Sequence, residues 1–387
     1  MIYRTFKDRK ISLLGMGCMR LPCRNGSDTE IDEKETEEMV DAAFRNGVNY
    51  FDSAWPYHGG NSETVIGKIL QTYPRDAFCY ASKFPGFNSE NFAKYREIFE
   101  KQLEKCGLGY FDFYLLHNVC EADIREYLEH AQVLIPFLKE QKEKGLIRHI
   151  GFSIHGKPDI ITRFLAAYKD IVEFCQIQLN WFDWDFLGAK KNVELLINLG
   201  IPIWVMEPMR GGRLAGLPKD TEDKVEALIP GAKPAEVAFR YLQSFPNVVT
   251  ILTGASTIDQ MKENLAVFEK EQPLTEAETE GLYRIQKEMP VGAPCTYCRY
   301  CLDSCPQNLK IPKILAIYND DQFTGNEFTT FLSVRGLPEG KRPMDCIQCR
   351  SCEEACPQGI KISEILKAFT ERLETSSNPR NPFRKTN

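Results

Sequence analysis

Nowhere does this chain of 387 residues hold an apolar run approaching the roughly 18 residues a membrane-spanning helix requires. A bilayer is therefore not an expected partner. Basic residues are not in excess. Lys and Arg number 48 against 54 Asp and Glu, a formal net charge of −6, whereas nucleic acid and anionic membranes select for surplus positive charge. Met1 to Gly17 lacks the apolar h-region of a secretory signal, which points to the cytoplasm. In that reducing compartment clustered cysteines read as metal ligands rather than disulfides.

Cysteine is what the chain has in abundance: 14 residues, eight of them in the last quarter. Cys295-x₂-Cys298-x₂-Cys301-x₃-Cys305-Pro306 recurs as Cys346-x₂-Cys349-x₂-Cys352-x₃-Cys356-Pro357, every cysteine displaced by 51 residues. Three thiolates two residues apart wrap one face of a cubane, while a fourth before proline points to the neighbouring cluster. The expected sets are Cys295, Cys298, Cys301 and Cys356 on one [4Fe–4S] cluster, with Cys346, Cys349, Cys352 and Cys305 on the other. Zinc favours two pairs with a longer gap. The repeat resembles dicluster ferredoxin domains. Its wide separation, with helices in the gap, is similar to the α-helical ferredoxin type. The other six cysteines (Cys18, Cys23, Cys79, Cys106, Cys120, Cys175) are scattered and read as core or surface residues.

The rest of the chain, 43% hydrophobic and 26% charged over its whole length, has the composition of a globular protein with a large core. Short apolar segments near 12–16, 48–52, 78–82, 112–116, 147–151, 174–178, 201–205 and 248–252 read as buried strands. Helical spacing fills the intervals, at Glu33 to Asn46, Ser62 to Gln71, Asn91 to Cys106, Ile124 to Lys144 and Pro158 to Tyr168. Pro234 to Gln243 and Asp259 to Glu269 follow the same pattern. Gly47, Gly107, Gly145 and Gly200 stand where left-handed C-caps are expected. Eight strand–helix units in this length favour a closed α/β architecture, the (β/α)₈ TIM barrel, over an open doubly wound sheet. The turn Gly15-Met16-Gly17 lacks the third glycine of a dinucleotide fingerprint. The expected division is a barrel over 1–285, a small, mainly helical ferredoxin-like domain over 290–373, and a flexible tail over 374–387.

Barrels of this kind carry their chemistry at the carboxyl ends of the strands. Those ends hold Asp52 and Tyr57, then Lys83, then His117. Each alone has a plain structural explanation; their placement on consecutive strand ends is what points to a site. Here the sequence resembles the aldo-keto reductase family, over most of residues 5–268, with the family's Asp–Tyr–Lys–His tetrad on Asp52, Tyr57, Lys83 and His117. The resemblance implies that Tyr57 protonates a carbonyl oxygen as hydride arrives at carbon. Lys83 would lower the phenol's pKa, Asp52 would hold Lys83, and His117 would orient and polarise the carbonyl.

The resemblance also implies a nucleotide site for NADP(H) or NAD(H). Leu252 to Asn264 is similar to the family's element after strand eight, with Gly254, Ser256, Gln260, Glu263 and Asn264 toward the adenosine end. Ser153 and Gln176 would face the carboxamide. Pro208, Met209, Arg210, Gly211 and Gly212 would lie near the pyrophosphate. Three departures stand out. Ser153-Ile154-His155 replaces the usual Ser-Asn, Met206 replaces a stacking aromatic, and no Arg follows Gly254-Ala255.

The implied activity is reduction of a small-molecule carbonyl to an alcohol, or the reverse, by NAD(P)H. A hydride carries two electrons and a [4Fe–4S] cluster moves one, so direct exchange calls for a flavin between them; no flavin motif is present. Two alternatives follow: a flavin-coupled electron-transfer oxidoreductase serving a ferredoxin-like carrier, and a redox-responsive, non-catalytic barrel protein.

Overall fold

In a computed structural model of the chain, eight parallel strands close into a barrel behind an N-terminal hairpin. Residues 26, 28, 87, 121–122, 290–291, 296–300, 326, 357–358 and 385–387 lie outside the described structure, as do the side chains of 324, 328 and 329. The hairpin is β1 (Tyr3–Phe6) with β2 (Arg9–Ser12). The barrel comprises β3 (Leu14–Gly17), β4 (Tyr50–Asp52), β5 (Cys79–Phe84), β6 (Phe111–Val119), β7 (Ile147–Ile154), β8 (Phe174–Gln178), β9 (Ile203–Met206) and β10 (Val248–Thr253). Each pairs with its successor, and β10 returns to β3. All eight segments read as buried strands are strands.

The hairpin was not legible in the sequence; strands of four residues joined by a tight turn carry little periodicity. It closes the amino-terminal end of the barrel. Phe6 and Ile11 are buried with Tyr50, Phe113, Phe174 and Trp204, side chains near the starts of their strands. Phe6 meets Trp204 edge to face, centroids 5.0 Å apart, a geometry worth about 0.5–1.5 kcal/mol beyond area burial. Below this layer buried Asp112 accepts from Arg9, Arg75 and Arg148 at 2.8–3.2 Å. The floor is thus sealed by rings and neutralised charge, and the opposite end is left for chemistry.

Helices occupy the intervals between strands. The first, Glu33–Arg45, begins where the Asp32 side chain accepts from the Glu35 amide, a cap that satisfies one otherwise unpaired donor. All four expected C-cap glycines sit at positive φ; at Gly107 (φ 63°) the amide bonds the Leu103 carbonyl. The stretch read as one helix over Ile124 to Lys144 is two, Ile124–Glu129 and Ala131–Glu143. They break at His130, whose ring nitrogen bonds the Glu126 carbonyl at 2.9 Å. Of the six scattered cysteines, five are buried and Cys23 is exposed.

The chain divides into two compact units. The first holds Met1–Gly216 and Val225–Tyr283; the second holds Leu217–Lys224 and Arg284–Asn387. Leu217–Lys224, assigned to the barrel from sequence, groups with the second unit, where Lys224 pairs with Glu288 at 2.8 Å. That unit is helical, with Ile311–Thr324, Glu327–Arg335 and Ile362–Thr375 around a core that includes Leu309, Ile314, Leu315, Phe331 and Phe369. Buried Asp321, on the first of these helices, ties it to the other two, accepting from Thr330 and Arg372. The segment after Leu373, read as a flexible tail, is tethered through residue 383. Asn381 donates to the Leu373 carbonyl at 2.7 Å, and Phe383 packs on the core.

Candidate active site and cluster-binding site

The barrel order places β4, β5 and β6 side by side, with Asp52 opposite Ala81 and Lys83 opposite Leu115 in the ladders. Side chains at the carboxyl ends of these strands therefore share one mouth. Lys83 is fully buried, and its ammonium donates to Asp52 Oδ1 at 2.5 Å and to the Ser53 carbonyl at 2.7 Å. The same nitrogen lies 5.1 Å from the centroid of the Tyr57 ring. Tyr57 follows β4 in a short turn whose next residue, His58, is left-handed at φ 54°. Its ring meets that of His117 at 6.1 Å, nearly edge-on. The four tetrad residues thus stand together.

Their electrostatics are less simple than the sequence implied. Burial raises the Tyr57 pKa above 10, and the nearby Lys83 charge pulls against it without reversing it. Lys83 lowers the phenol, as the resemblance implied, but desolvation of the phenolate raises it by more. Burial alone would lower Lys83, but the Asp52 carboxylate and Tyr57 hold it above its usual value. Burial pushes the Asp52 carboxyl up, with Lys83 opposing. His117 is driven well below 6.5 by burial, then by Lys83 and His155. It is a neutral imidazole at physiological pH.

The nucleotide-side residues divide into two groups. Gln176, on β8, is buried; among the described residues its Oε1 has no hydrogen-bond partner, and its Nε2 approaches the Met206 sulfur at 3.9 Å. A buried unsatisfied oxygen is costly, and an incoming carboxamide N–H would satisfy it, so this position fits a nicotinamide. Ser153, on β7, accepts from the Asn118 amide at 2.9 Å, which leaves its hydroxyl able to donate. After β9 the backbone turns left-handed at Glu207, Arg210, Gly211 and Gly212. Pro208 and Met209 lie within this turn; the Met209 carbonyl accepts from the Gly212 and Leu214 amides. Arg210 is turned away, its Nε on buried Asp183 at 3.0 Å and its guanidinium over Phe182.

At β10 the residues assigned to the adenosine end are engaged internally. Thr257 caps the helix Ile258–Val267 by accepting from the Gln260 amide, and Gln260 Oε1 accepts from the Ser256 amide at 2.8 Å. Glu263 pairs with Lys233 at 2.8 Å, and Asn264 donates to Thr253 at 2.7 Å. Gly254 lies on the turn leading into this helix, where an added Cβ would meet the Arg20 side chain at 3.4 Å.

In the second unit, Cys305, Cys346, Cys349 and Cys352 line one pocket. They are the four thiols expected on a single cluster. Among the described residues no three Cys, His, Asp or Glu groups converge as ligands of one ion; these four are spread around a shared space instead. Thiol donors spaced in this way fit an iron–sulfur group. The Leu309 amide donates to the Cys305 sulfur at 3.4 Å and Gln348 Nε2 approaches the Cys346 sulfur at 3.6 Å, contacts of the kind that tune a cluster. Of the other set, Cys301 is buried, while Cys295 and Cys356 pack against the same apolar core. Cys298 lies outside the described residues.

Residues 13–286 match the aldo/keto reductase family, more than half of the chain. The chain belongs to that family. Residues 294–360 match a 4Fe-4S dicluster domain, which brings two [4Fe–4S] clusters. Among curated relatives, the uncharacterized oxidoreductase YqkF of Bacillus subtilis is 24% identical over 73% of this chain and 94% of its own length. L-galactose dehydrogenase of Arabidopsis thaliana is 28% identical over 70% of this chain and 87% of its own length. A solved aldo-keto reductase of Bacillus halodurans, in its holo form, is 25% identical with a TM-score of 0.59, covering 74% of this chain and 96% of that one.

This aldo/keto reductase is an NAD(P)H-dependent oxidoreductase with a helical cluster domain after its barrel. Two features of the site escaped the sequence. The Ser53 carbonyl, which fixes Lys83, is a backbone atom with no sequence signature. Arg20 bonds Glu207 at 3.1 Å across the mouth. The rule that chemistry follows each strand end, applied to Gly17-Cys18-Met19-Arg20 after β3, would have found it.

Proposed function

We propose that this chain catalyses the reversible reduction of a small aldehyde or ketone, with Tyr57 as general acid. The observation that carries the reading is the buried Lys83 ammonium, fixed by Asp52 and the Ser53 carbonyl against the Tyr57 ring. The nicotinamide cofactor, when bound, supplies a hydride and hence both electrons. Everything else is work for the protein's own groups.

Tyr57 stays protonated through neutral pH because burial holds its pKa high, so its O–H is available to the oxygen that gains negative charge. Lys83, kept cationic by Asp52, stabilises the phenolate left behind. His117, neutral, has one ring N–H to direct at the carbonyl oxygen. Gln176 supports the carboxamide of the cofactor through its unsatisfied oxygen. In reverse, the phenolate accepts the alcohol proton.

Carbonyl-dependent oxidation of NADPH by the full chain, purified anaerobically, tests this with an activated aldehyde such as 4-nitrobenzaldehyde. Tyr57→Phe should lower turnover by roughly 10²–10⁴-fold while cofactor binding persists. An unchanged rate would remove Tyr57 from the mechanism.

A second reading, one-electron exchange at the cluster unit with a ferredoxin-like carrier, is favoured by Cys349. That thiol is exposed although it lines the cavity shared with buried Cys352, so a bound cluster would have an edge facing solvent. Bleaching of the cluster absorption by NADPH alone would join the two units in one electron path. Persistence of the band would leave them separate.

A further inference from the structure

Closure of the barrel brings the first barrel strand beside the last, so the loops after β3, β9 and β10 are neighbours. Arg20, from the first of these, lies between the other two. A Cβ added at Gly211 would meet Arg20 Nη2 at 3.4 Å, and one at Gly254 would meet its Cδ at 3.4 Å. At Gly212, by contrast, an added Cβ meets nothing within 4 Å. A guanidinium therefore overhangs open, left-handed backbone.

The charges around it are unevenly spent. Arg210 is matched by buried Asp183, which also accepts from Gln178 and Asn180 at 2.7 and 2.8 Å. Arg20 instead rests on Glu207, with both side chains partly in solvent, a kind of pair that contributes little to stability. Arg213, half-buried, has a lowered pKa from burial and then from the positive field of Arg210, with Arg20 adding to it and Glu207 and Asp183 opposing. The Glu207 backbone is held by its carbonyl, which accepts from Asn180 at 3.0 Å, and its carboxylate is the resting partner of Arg20.

We propose that Arg20 is the clamp for the dinucleotide's diphosphate, leaving Glu207 for the phosphate oxygens when the cofactor binds. The inference rests on the reading of this cleft as a nicotinamide dinucleotide site, and adds the residue that grips it. A planar, bidentate guanidinium can grip the diphosphate, which carries two negative charges against the single charge of Glu207. Glu207 serves as a competitor: it parks Arg20 when the cleft is empty and repels the diphosphate until displaced.

Equilibrium binding of NADPH, NADH and ADP-ribose to the full chain, followed by calorimetry, tests this without turnover. Arg20→Ala should weaken all three by a similar factor, about ten- to a hundredfold for a lost charge-assisted contact. Arg20→Lys should recover part of the loss. Glu207→Gln should tighten all three. Arg20 is exposed, so thermal unfolding of its variants should match that of the wild type. Unchanged affinity in Arg20→Ala overturns the clamp, and a loss confined to NADPH also overturns it by placing Arg20 at the 2′-phosphate. Wild-type protein that binds none of the three removes the underlying reading, an outcome distinct from either.

Discussion

Lys83 donates to Asp52 at 2.5 Å while its nitrogen lies 5.1 Å from the Tyr57 ring centroid. In the proposed mechanism one cation therefore serves two anions: the carboxylate present at rest and the phenolate formed in turnover. Because burial raises the phenol and Lys83 lowers it, removing Lys83 moves the phenol further up. Carbonyl reduction needs the protonated phenol and is served by a high pKa; alcohol oxidation needs the phenolate and is starved by one. Lys83→Met should thus lower alcohol oxidation near about pH 9 more than carbonyl reduction near about pH 7, by roughly tenfold for each unit the phenol rises. Steady-state rates in both directions decide it; equal losses would mean that Lys83 acts only through folding.

The same pair has a stability signature. Lys83→Met alone leaves the Asp52 carboxylate buried without its counter-charge, a change that costs about 3–5 kcal/mol. Adding Asp52→Asn removes that stranded charge, so the double variant should unfold at a higher denaturant concentration than the single one. If the double variant is the weaker of the two, the ion pair is not what Lys83 contributes to the fold.

His117 should be silent in the pH profile. Burial, Lys83 and His155 hold its imidazole well below 6.5, so kcat/KM for carbonyl reduction should be level from about pH 6 to about pH 8 with respect to this group. An inflection in that range that disappears in His117→Gln would show that the ring titrates during function.

The sequence carried the barrel because buried parallel strands are short, apolar and regularly spaced, and because glycine marks the ends of helices. It carried the tetrad and both cysteine runs because those are fixed spacings of unusual side chains. What it could not carry was solvent exclusion. That burial raises Tyr57 by more than Lys83 lowers it follows from how deeply the phenol is enclosed, a property of all the elements around it. Arg20 and Glu207, 187 positions apart, meet only because the barrel closes. Leu217–Lys224 joins the second unit with help from an ion pair to Glu288, which no local pattern announces. Gln260, which the resemblance places toward adenosine, has its side-chain oxygen on the Ser256 amide just before its helix.

The shared cavity of Cys305 with Cys346, Cys349 and Cys352 gives the crossed ligand assignment a spectroscopic test. Cys305→Ala and Cys349→Ala should each drop bound iron from about eight to about four per chain. Both should leave the same remaining cluster, with superimposable electron paramagnetic resonance after dithionite reduction. Cys356→Ala should leave the other cluster and a different spectrum. Should Cys305→Ala match Cys356→Ala instead, each cysteine run holds its own cluster.

Glu173 sets the acid limit of the barrel. Burial would raise its carboxyl, but hydrogen bonds from His149 at 3.0 Å, from Lys142 and from Lys7 outweigh it, and the pKa falls far below 4.5. A carboxylate depressed on folding contributes stability that is complete above its unfolded pKa and is lost as pH falls toward the folded value. The loss should therefore begin below about pH 4.5 and grow with further acid, since the unfolded chain then takes up a proton that the folded chain refuses. Glu173→Gln should be less stable than the wild type at neutral pH, where the three donors keep only a neutral acceptor. Its denaturation midpoint should also fall less steeply between about pH 4.5 and about pH 3, because one proton-linked contribution is gone. Parallel slopes for the two proteins across that interval would assign the acid sensitivity elsewhere.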